Sequence, residues 1–268
     1  MAHFHEEIIE TNDRDLFDRI AEKYAKKDIV KSSSLPRRYQ LMFAIQPIVE
    51  VMNSLGNIVE IACGFGASSE YLKGMFEKYI GVDYSEKLIA KAKEFYAENE
   101  RVNFLAANVK ELARSGIPVK SADLILAVGA LHHMTELGAV MESLKHIAKD
   151  EAYFVAIEPN RANPMIQAMR WVWGRINTAY SRDQKYFSKQ ELYNLLSRHK
   201  MRDISVEFQG FFTPPFAQVV LNPQFLSVPA SNAAIFLDKI LDRYLPSFLK
   251  FLSWNIVIRA KFPAEIIK

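Results

Sequence analysis

Ile58-Val59-Glu60-Ile61-Ala62-Cys63-Gly64-Phe65-Gly66-Ala67-Ser68-Ser69, followed after an interval by Tyr79-Ile80-Gly81-Val82-Asp83, is the stretch that decides the architecture. An apolar run (Ile58, Val59, Ile61) is cut by Gly64 and Gly66. Helical spacing follows at Tyr71, Leu72, Met75 and Phe76, and a second apolar run ends at Asp83, so the unit reads as strand, helix, strand. Glycine accepts positive φ and lets a ligand approach the backbone, while the new helix starts with unpaired N–H groups. Asp83, at the carboxyl end of the second strand, would sit at the same crevice, where a carboxylate can accept both hydroxyls of a ribose. A dinucleotide fingerprint requires a third glycine, but Ser69 stands at that place, which argues against a pyrophosphate.

The pattern is instead acid-x-small-x-Gly-x-Gly, with Glu60, Ala62, Gly64 and Gly66, and it resembles the first motif of the class I S-adenosylmethionine-dependent methyltransferases. Ala62 stands where that family usually has its first glycine, which predicts a slightly tighter turn and a retained site. The resemblance implies that Asp83 binds the ribose and that Tyr84 lies against the adenine face. It also implies that Asn108, with Val109 beside it, takes the place of an adenine-binding Asp, and that Val128 lies at the cofactor. Ala122-Asp123-Leu124-Ile125-Leu126-Ala127-Val128 reads as a strand buried on both faces. With Leu131-His132-His133 after it, this segment resembles the family's fourth motif. Tyr153–Ile157, ending in Glu158-Pro159-Asn160, resembles its fifth strand, which ends at the mouth of the substrate pocket.

The expected fold is therefore α/β, a Rossmann-like seven-stranded sheet whose last strand is antiparallel and lies between the fifth and sixth, with a helical cap or lid from the N-terminal helices and two insertions. Residues 1–56 would cover the cofactor site, 57–158 would form the S-adenosylmethionine-binding core, and 159–268 would supply the cap insertions and complete the same domain. In the N-terminal part Leu16, Phe17, Ile20, Ala21 and Tyr24 mark an amphipathic helix, with Lys26 and Lys27 near its end. Ser32–Pro36 is expected to break the pattern before a second helix that Pro47 kinks. In the family such helices close over the cofactor, which implies a contact from Tyr24.

Composition bounds the function. The 268 residues carry 34 Lys+Arg against 31 Asp+Glu, a net charge of +3, which gives no argument for nucleic acid. Cys63, the single cysteine, fits a reducing cytoplasm and reads as a small packing residue. No signal-peptide profile is present and no apolar run reaches the ~18 residues of a spanning helix, so a cytoplasmic protein is expected.

A sulfonium methyl is already activated, so the protein's task is to hold a nucleophile in line and exclude water. His132 or His133 could take a hydroxyl proton near neutral pH, and Glu158 is the second candidate. A carboxylate there could instead bind backbone N–H groups or a substrate amine. Adjacent histidines on a regular element point to different sides, so at most one is expected to face the substrate, and no metal site is read. Asn163-Pro164 predicts a helix start, with Met165, Met169, Val172 and Ile176 on one face. From Phe208 to Leu237 no side chain is formally charged. Proline forbids one long helix there, and the apolar surface must be covered by the body, a partner, a membrane interface or a ligand. One expectation is that this insertion and the Trp171–Trp173 helix form a lid over an apolar pocket above Glu158 and His132. The expected activity is methyl transfer from S-adenosylmethionine to a small apolar or lipid-like acceptor, at oxygen, with peripheral membrane contact an option. The alternatives are a non-catalytic S-adenosylmethionine-binding or partner-binding module and a nucleotide-binding oxidoreductase.

Overall fold

The computed structural model describes residues 2–176 and 185–264, with the side chains of residues 2–13, 170 and 172–176 left aside. The described strands are β1 (Asn57–Ile61), β2 (Lys78–Asp83), β3 (Val102–Ala106), β4 (Ala122–Val128), β5 (Ala148–Pro159), β6 (Arg202–Gln209) and β7 (Asn255–Lys261). They form one sheet in the order β3-β2-β1-β4-β5-β7-β6. β1 to β5 pair in parallel, whereas β7 runs antiparallel to both β5 and β6. The order reverses at β1, which pairs β2 on one side and β4 on the other. Ligands of open α/β sheets bind at such a switch point, beyond the carboxyl ends of the strands.

Strand side chains alternate between faces, so β1 and β4 serve two cores at once. Val59, Ile61, Ile125 and Ala127 pack with Leu144, Ile147 and Phe154 on one face. Ile58, Leu124 and Leu126 pack with Leu41, Ile45, Leu72 and Tyr79 on the other. Helices α1 (Ala2–Ile29) and α2 (Lys31–Val49) precede the sheet, and α3 (Ala67–Tyr71), α4 (Glu86–Phe95) and α5 (Leu137–Ile147) lie between its first five strands. The later helices are α6 (Pro164–Ile176), α7 (Lys189–Arg198), α8 (Thr213–Gln218) and α9 (Gln224–Tyr244). Ser85 caps α4 through the Leu88 N–H, Ser188 and Glu191 form a capping box on α7, and the Asn163 side-chain oxygen accepts from Met165 and Ile166 at the start of α6.

Several local expectations need correction. The break between the first two helices is Val30 alone, extended at φ −68 and ψ 128, and Ser32–Pro36 lies inside α2. Pro36 and Pro47 each leave one carbonyl four residues earlier without its helical N–H. The Ser32 carbonyl instead accepts the Ser231 hydroxyl at 2.6 Å, and the Phe43 carbonyl accepts Arg259 Nη2 at 2.9 Å. The prolines thus create the acceptors that fasten α2 to α9 and β7. The helix after the glycine turn closes at Tyr71, and Leu72–Phe76 continues as a turn with Leu72 and Phe76 buried. Among the described side chains of α6 Ile166 is buried, while Met165 and Met169 are exposed. The side chains of Val172, Trp173 and Ile176 lie outside the described residues. The uncharged stretch divides into α8 and most of α9, and Pro229 sits inside α9 on its exposed side.

Candidate active site

Two cavities open at the carboxyl ends of β1 and β4. The larger, about 500 Å³, is lined by Tyr24, Lys27 and Arg37 from α1 and α2, and by Glu60, Ala62, Val128, His132, His133 and Glu158 from the sheet end. Ile166, Met169, Tyr186, Pro214 and Gln218 complete its far wall. The smaller, about 70 Å³, is a narrow slot between Tyr84, Asn108, Val109, Met134 and Val140. Ala62 and His133 belong to both walls, so the two spaces meet at the end of β1. Ala62 stands at φ 50, in the left-handed region, and the turn that favours glycine here is kept by an alanine at a strain of about 1–2 kcal/mol.

Gly64, Gly66 and Asp83 line neither cavity. Both Asp83 oxygens are engaged inside the turn, Oδ2 by the Gly64 N–H at 2.8 Å and Oδ1 by the Ser85 N–H at 2.9 Å. Burial raises the Asp83 pKa, partly offset by these bonds. Asp83, expected to meet a ribose, is thus taken up by the turn's own N–H groups, and α1 packs against its neighbours. The Tyr24 ring sits where a Gly64 Cβ would lie 3.1 Å away, and the Ser85 hydroxyl donates to Asp18 at 2.5 Å. Asn108 lines the slot, but its Oδ1 also accepts the Lys110 N–H at 2.9 Å and so caps the turn that follows.

Glu60 is buried at the wall of the large cavity and accepts the Ser68 hydroxyl at 2.8 Å and the Tyr79 hydroxyl. Burial pushes its pKa up to about 7 despite those two bonds. Opposite, Lys27 lies 4.0 Å from the centre of the Tyr24 ring and 3.4 Å from the Gln218 amide oxygen. Burial and the nearby Arg37 charge pull Lys27 down to about 7. Arg37 pairs with Asp28 at 3.0 Å and donates to the Ala217 carbonyl at 2.8 Å. Tyr24 is pushed up to about 12, chiefly by burial. Lys27 is therefore a cavity group and not the solvated helix-end charge its sequence position suggests. Lys27, Arg37, Tyr186 and Gln218 carry no motif; the one signal is that Lys27 lies one helical turn from Tyr24.

His132 and His133 correct a second expectation. Leu131–His133 is a 3₁₀ turn, not a strand, so the two rings lie on the same side with centroids 4.1 Å apart. His133 meets Phe17 edge-on at 5.4 Å, and His132 meets Tyr186 at 5.3 Å. Glu158, fully buried, accepts the N–H groups of Ala130 at 2.9 Å, Leu131 at 2.7 Å and His132 at 3.3 Å. Its Oε2 also lies 2.7 Å from His132 Nδ1. Glu158 is thus spent on the turn and the ring, and it positions His132 in place of meeting a substrate. An Nδ1–H donated to that carboxylate leaves the lone pair on Nε2, the arrangement of a general base. Cys63 is buried and its thiol is pushed well up by burial, in keeping with packing. Among the described residues no cluster of His, Cys, Asp and Glu could hold a metal ion, and no helix is long and apolar enough to cross a membrane.

Residues 59–156 match the family described as Methyltransferase domain. The highly reducing polyketide synthase GPY1 of Gibberella fujikuroi is 25% identical over 145 residues, 50% of this chain and 6% of that protein. The ribosomal RNA small subunit methyltransferase A of Acidobacterium capsulatum is 32% identical over 127 residues, 46% of this chain and 41% of that one. The chain therefore spans less than half the length of these curated relatives. Among solved structures, an S-adenosylmethionine-dependent methyltransferase of Thermotoga maritima superposes with a TM-score of 0.62 at 17% identity, covering 92% of this chain and 97% of that one. The CurJ carbon methyltransferase superposes with a TM-score of 0.57 at 15% identity, covering 85% and 54%. The fold is that of the class I S-adenosylmethionine-dependent methyltransferases, and within it residues 59–156 match the methyltransferase-domain family.

Proposed function

We propose that the chain transfers a methyl group from S-adenosylmethionine to a small apolar or lipid-like acceptor, at oxygen. The observation that carries this reading is the His132 ring, fixed by Glu158 at 2.7 Å in the wall of a 500 Å³ cavity that adjoins a narrow apolar slot. The residues present fit the cofactor. Glu60 would face its cationic amino-acid end, Lys27 and Arg37 would face its carboxylate, and the slot lined by Tyr84, Asn108 and Val109 would take the flat base. Ala62 and Val128 would lie between them, and Tyr24 would cover the turn of Gly64 and Gly66 above Asp83. When bound, S-adenosylmethionine supplies an electrophilic methyl on a sulfonium.

The protein's own part is to orient the acceptor, exclude water and remove one proton at His132 Nε2. His133, edge-on to Phe17 at the junction of the two cavities, would shape the passage between them. Ile166, Met169 and Pro214 give the acceptor side an apolar wall, which supports the acceptor class. A second reading, attack by carbon, is favoured by the likeness to polyketide synthases and to a carbon methyltransferase; the same base would serve an activated carbon acid. The test is incubation with methyl-labelled S-adenosylmethionine and a lipid-plus-metabolite extract, comparing wild type with His132→Ala. Label in an organic-phase product that depends on His132 supports the proposal. Label only in water-soluble products, or equal labelling by both proteins, refutes it.

A further inference from the structure

Helix α9 is amphipathic in the wrong sense for a helix packed on a protein core. Its buried side is Ser227, Ser231, Ala234, Asp238 and Asp242. Its outer side carries Phe225 at 75% exposure, Leu226 at 61%, Phe236 at 63%, Leu237 at 43%, Ile240 at 40% and Tyr244 at 69%. At 100° per residue these six fall within about 120° of one another, so they form a single stripe. The following 3₁₀ turn adds Phe248 at 73% and Phe251 at 43%.

The charges on this segment are sorted as well. Between residues 211 and 254 its two acids, Asp238 and Asp242, both point inward. Asp238 accepts the N–H groups of Phe211, Phe212 and Thr213, and Asp242 accepts from Gly210 and Tyr39. Of its three bases, Lys239 and Arg243 are exposed and Lys250 is half-buried, donating to the Asp242 carbonyl at 2.9 Å. Lys239 and Arg243 line, with Arg38, a groove of about 670 Å³ that also contains the apolar side chains of Met42, Phe43 and Ile235 and, from the sheet, Glu207, whose carboxylate is paired with Arg259 at 3.1 Å. The segment thus shows solvent aromatic and aliphatic side chains bordered by cations, with its carboxylates withdrawn. That combination matches a bilayer surface, where apolar side chains enter the headgroup boundary and basic ones meet anionic lipid.

We propose that α9 and the turn Ser247–Leu252 form a peripheral docking face for an anionic membrane surface, with lipid phosphate received at Arg38, Lys239 and Arg243. The face is set apart from the cavity, so it can be tested independently of methyl transfer. The experiment is flotation of the full chain with phosphatidylcholine vesicles, alone or containing about a third phosphatidylglycerol. The wild type is expected to float with the anionic vesicles and at least about tenfold less with the neutral ones, and to be released by high salt. Phe225→Ser with Phe236→Ser, and separately Lys239→Glu with Arg243→Glu, should each lower the bound fraction about tenfold or more. Both pairs are solvent-exposed, and unchanged circular dichroism and unchanged S-adenosylmethionine affinity would verify intact variants. A wild type that stays at the bottom with both vesicle types overturns the proposal, as do variants that float like wild type. A concentration-dependent dimer in sedimentation, dispersed by the Phe225 and Phe236 substitutions and without vesicle binding, assigns the face to a second copy and also overturns it.

Discussion

Glu60→Gln removes an ionisable group that the native protein holds at about 7, whereas an exposed carboxylate titrates at 4.5. The native state therefore binds the Glu60 proton more tightly than the unfolded chain does. Linkage makes its contribution to stability largest below pH 4.5, progressively lost as pH rises from there to about 7, and constant above that. The interval corresponds to an upper value of about 3 kcal/mol. Glutamine cannot ionise, so the variant should lack this loss. Ser68 and Tyr79 both donate to the carboxylate, and one hydroxyl must turn to accept from the new amide. That mismatch is an offset independent of pH, so the quantity to measure is the change in the variant–wild-type difference between pH 5 and pH 8. Urea unfolding should show that difference moving by about 2–3 kcal/mol in favour of the variant. Binding should move the other way. Losing a charged partner for a cationic ligand costs roughly 1.5–3 kcal/mol, and titration of the wild type with S-adenosylmethionine near pH 6 should release a proton that the variant does not. A stability difference that is the same at both pH values would refute the reasoning about burial, and unchanged S-adenosylmethionine affinity would refute the placement of Glu60.

Asp83→Ala leaves the Gly64 and Ser85 N–H groups unpaired, so melting should reveal a loss of about 1–3 kcal/mol for each. His132→Ala should lower turnover by about 10²–10⁴ with S-adenosylmethionine affinity nearly intact; Glu158→Gln should lower turnover too and also shift its pH profile, which a purely structural role would not do. Ala62→Gly relieves the left-handed strain at φ 50 against the entropy of glycine, so unfolding should show a gain of about 0–1 kcal/mol. Gly66→Ala has the opposite sign, because at φ 79 its Cβ would overlap the Phe104 ring, and a loss of roughly 2–5 kcal/mol is expected.

The alternation of strands and helices and the turn after β1 were legible from local patterns, whereas the strand order and the antiparallel last strand were implied by the resemblance to the class I methyltransferases. The uninterrupted apolar run Leu124–Val128 requires a strand covered on both faces, and the spacing of Glu60, Ala62, Gly64 and Gly66 requires a tight turn beneath a helix start. The helix start at Asn163-Pro164 is equally local. What tertiary structure decided is which side of each element is buried and against what. Lys27 reads as a helix-end charge, yet α2 brings Arg37 beside it and turns it into a desolvated cavity lysine. Glu158 reads as an acid or base, yet the 3₁₀ turn at Leu131–His133 supplies three N–H groups and a ring nitrogen that use it up. The periodicity of α9 is plain in the sequence, but periodicity has no sign. The Asp238 and Asp242 carboxylates take their place inside because distant N–H groups at 210–213 need acceptors there, and that demand, not hydrophobicity, turns the aromatic side outward.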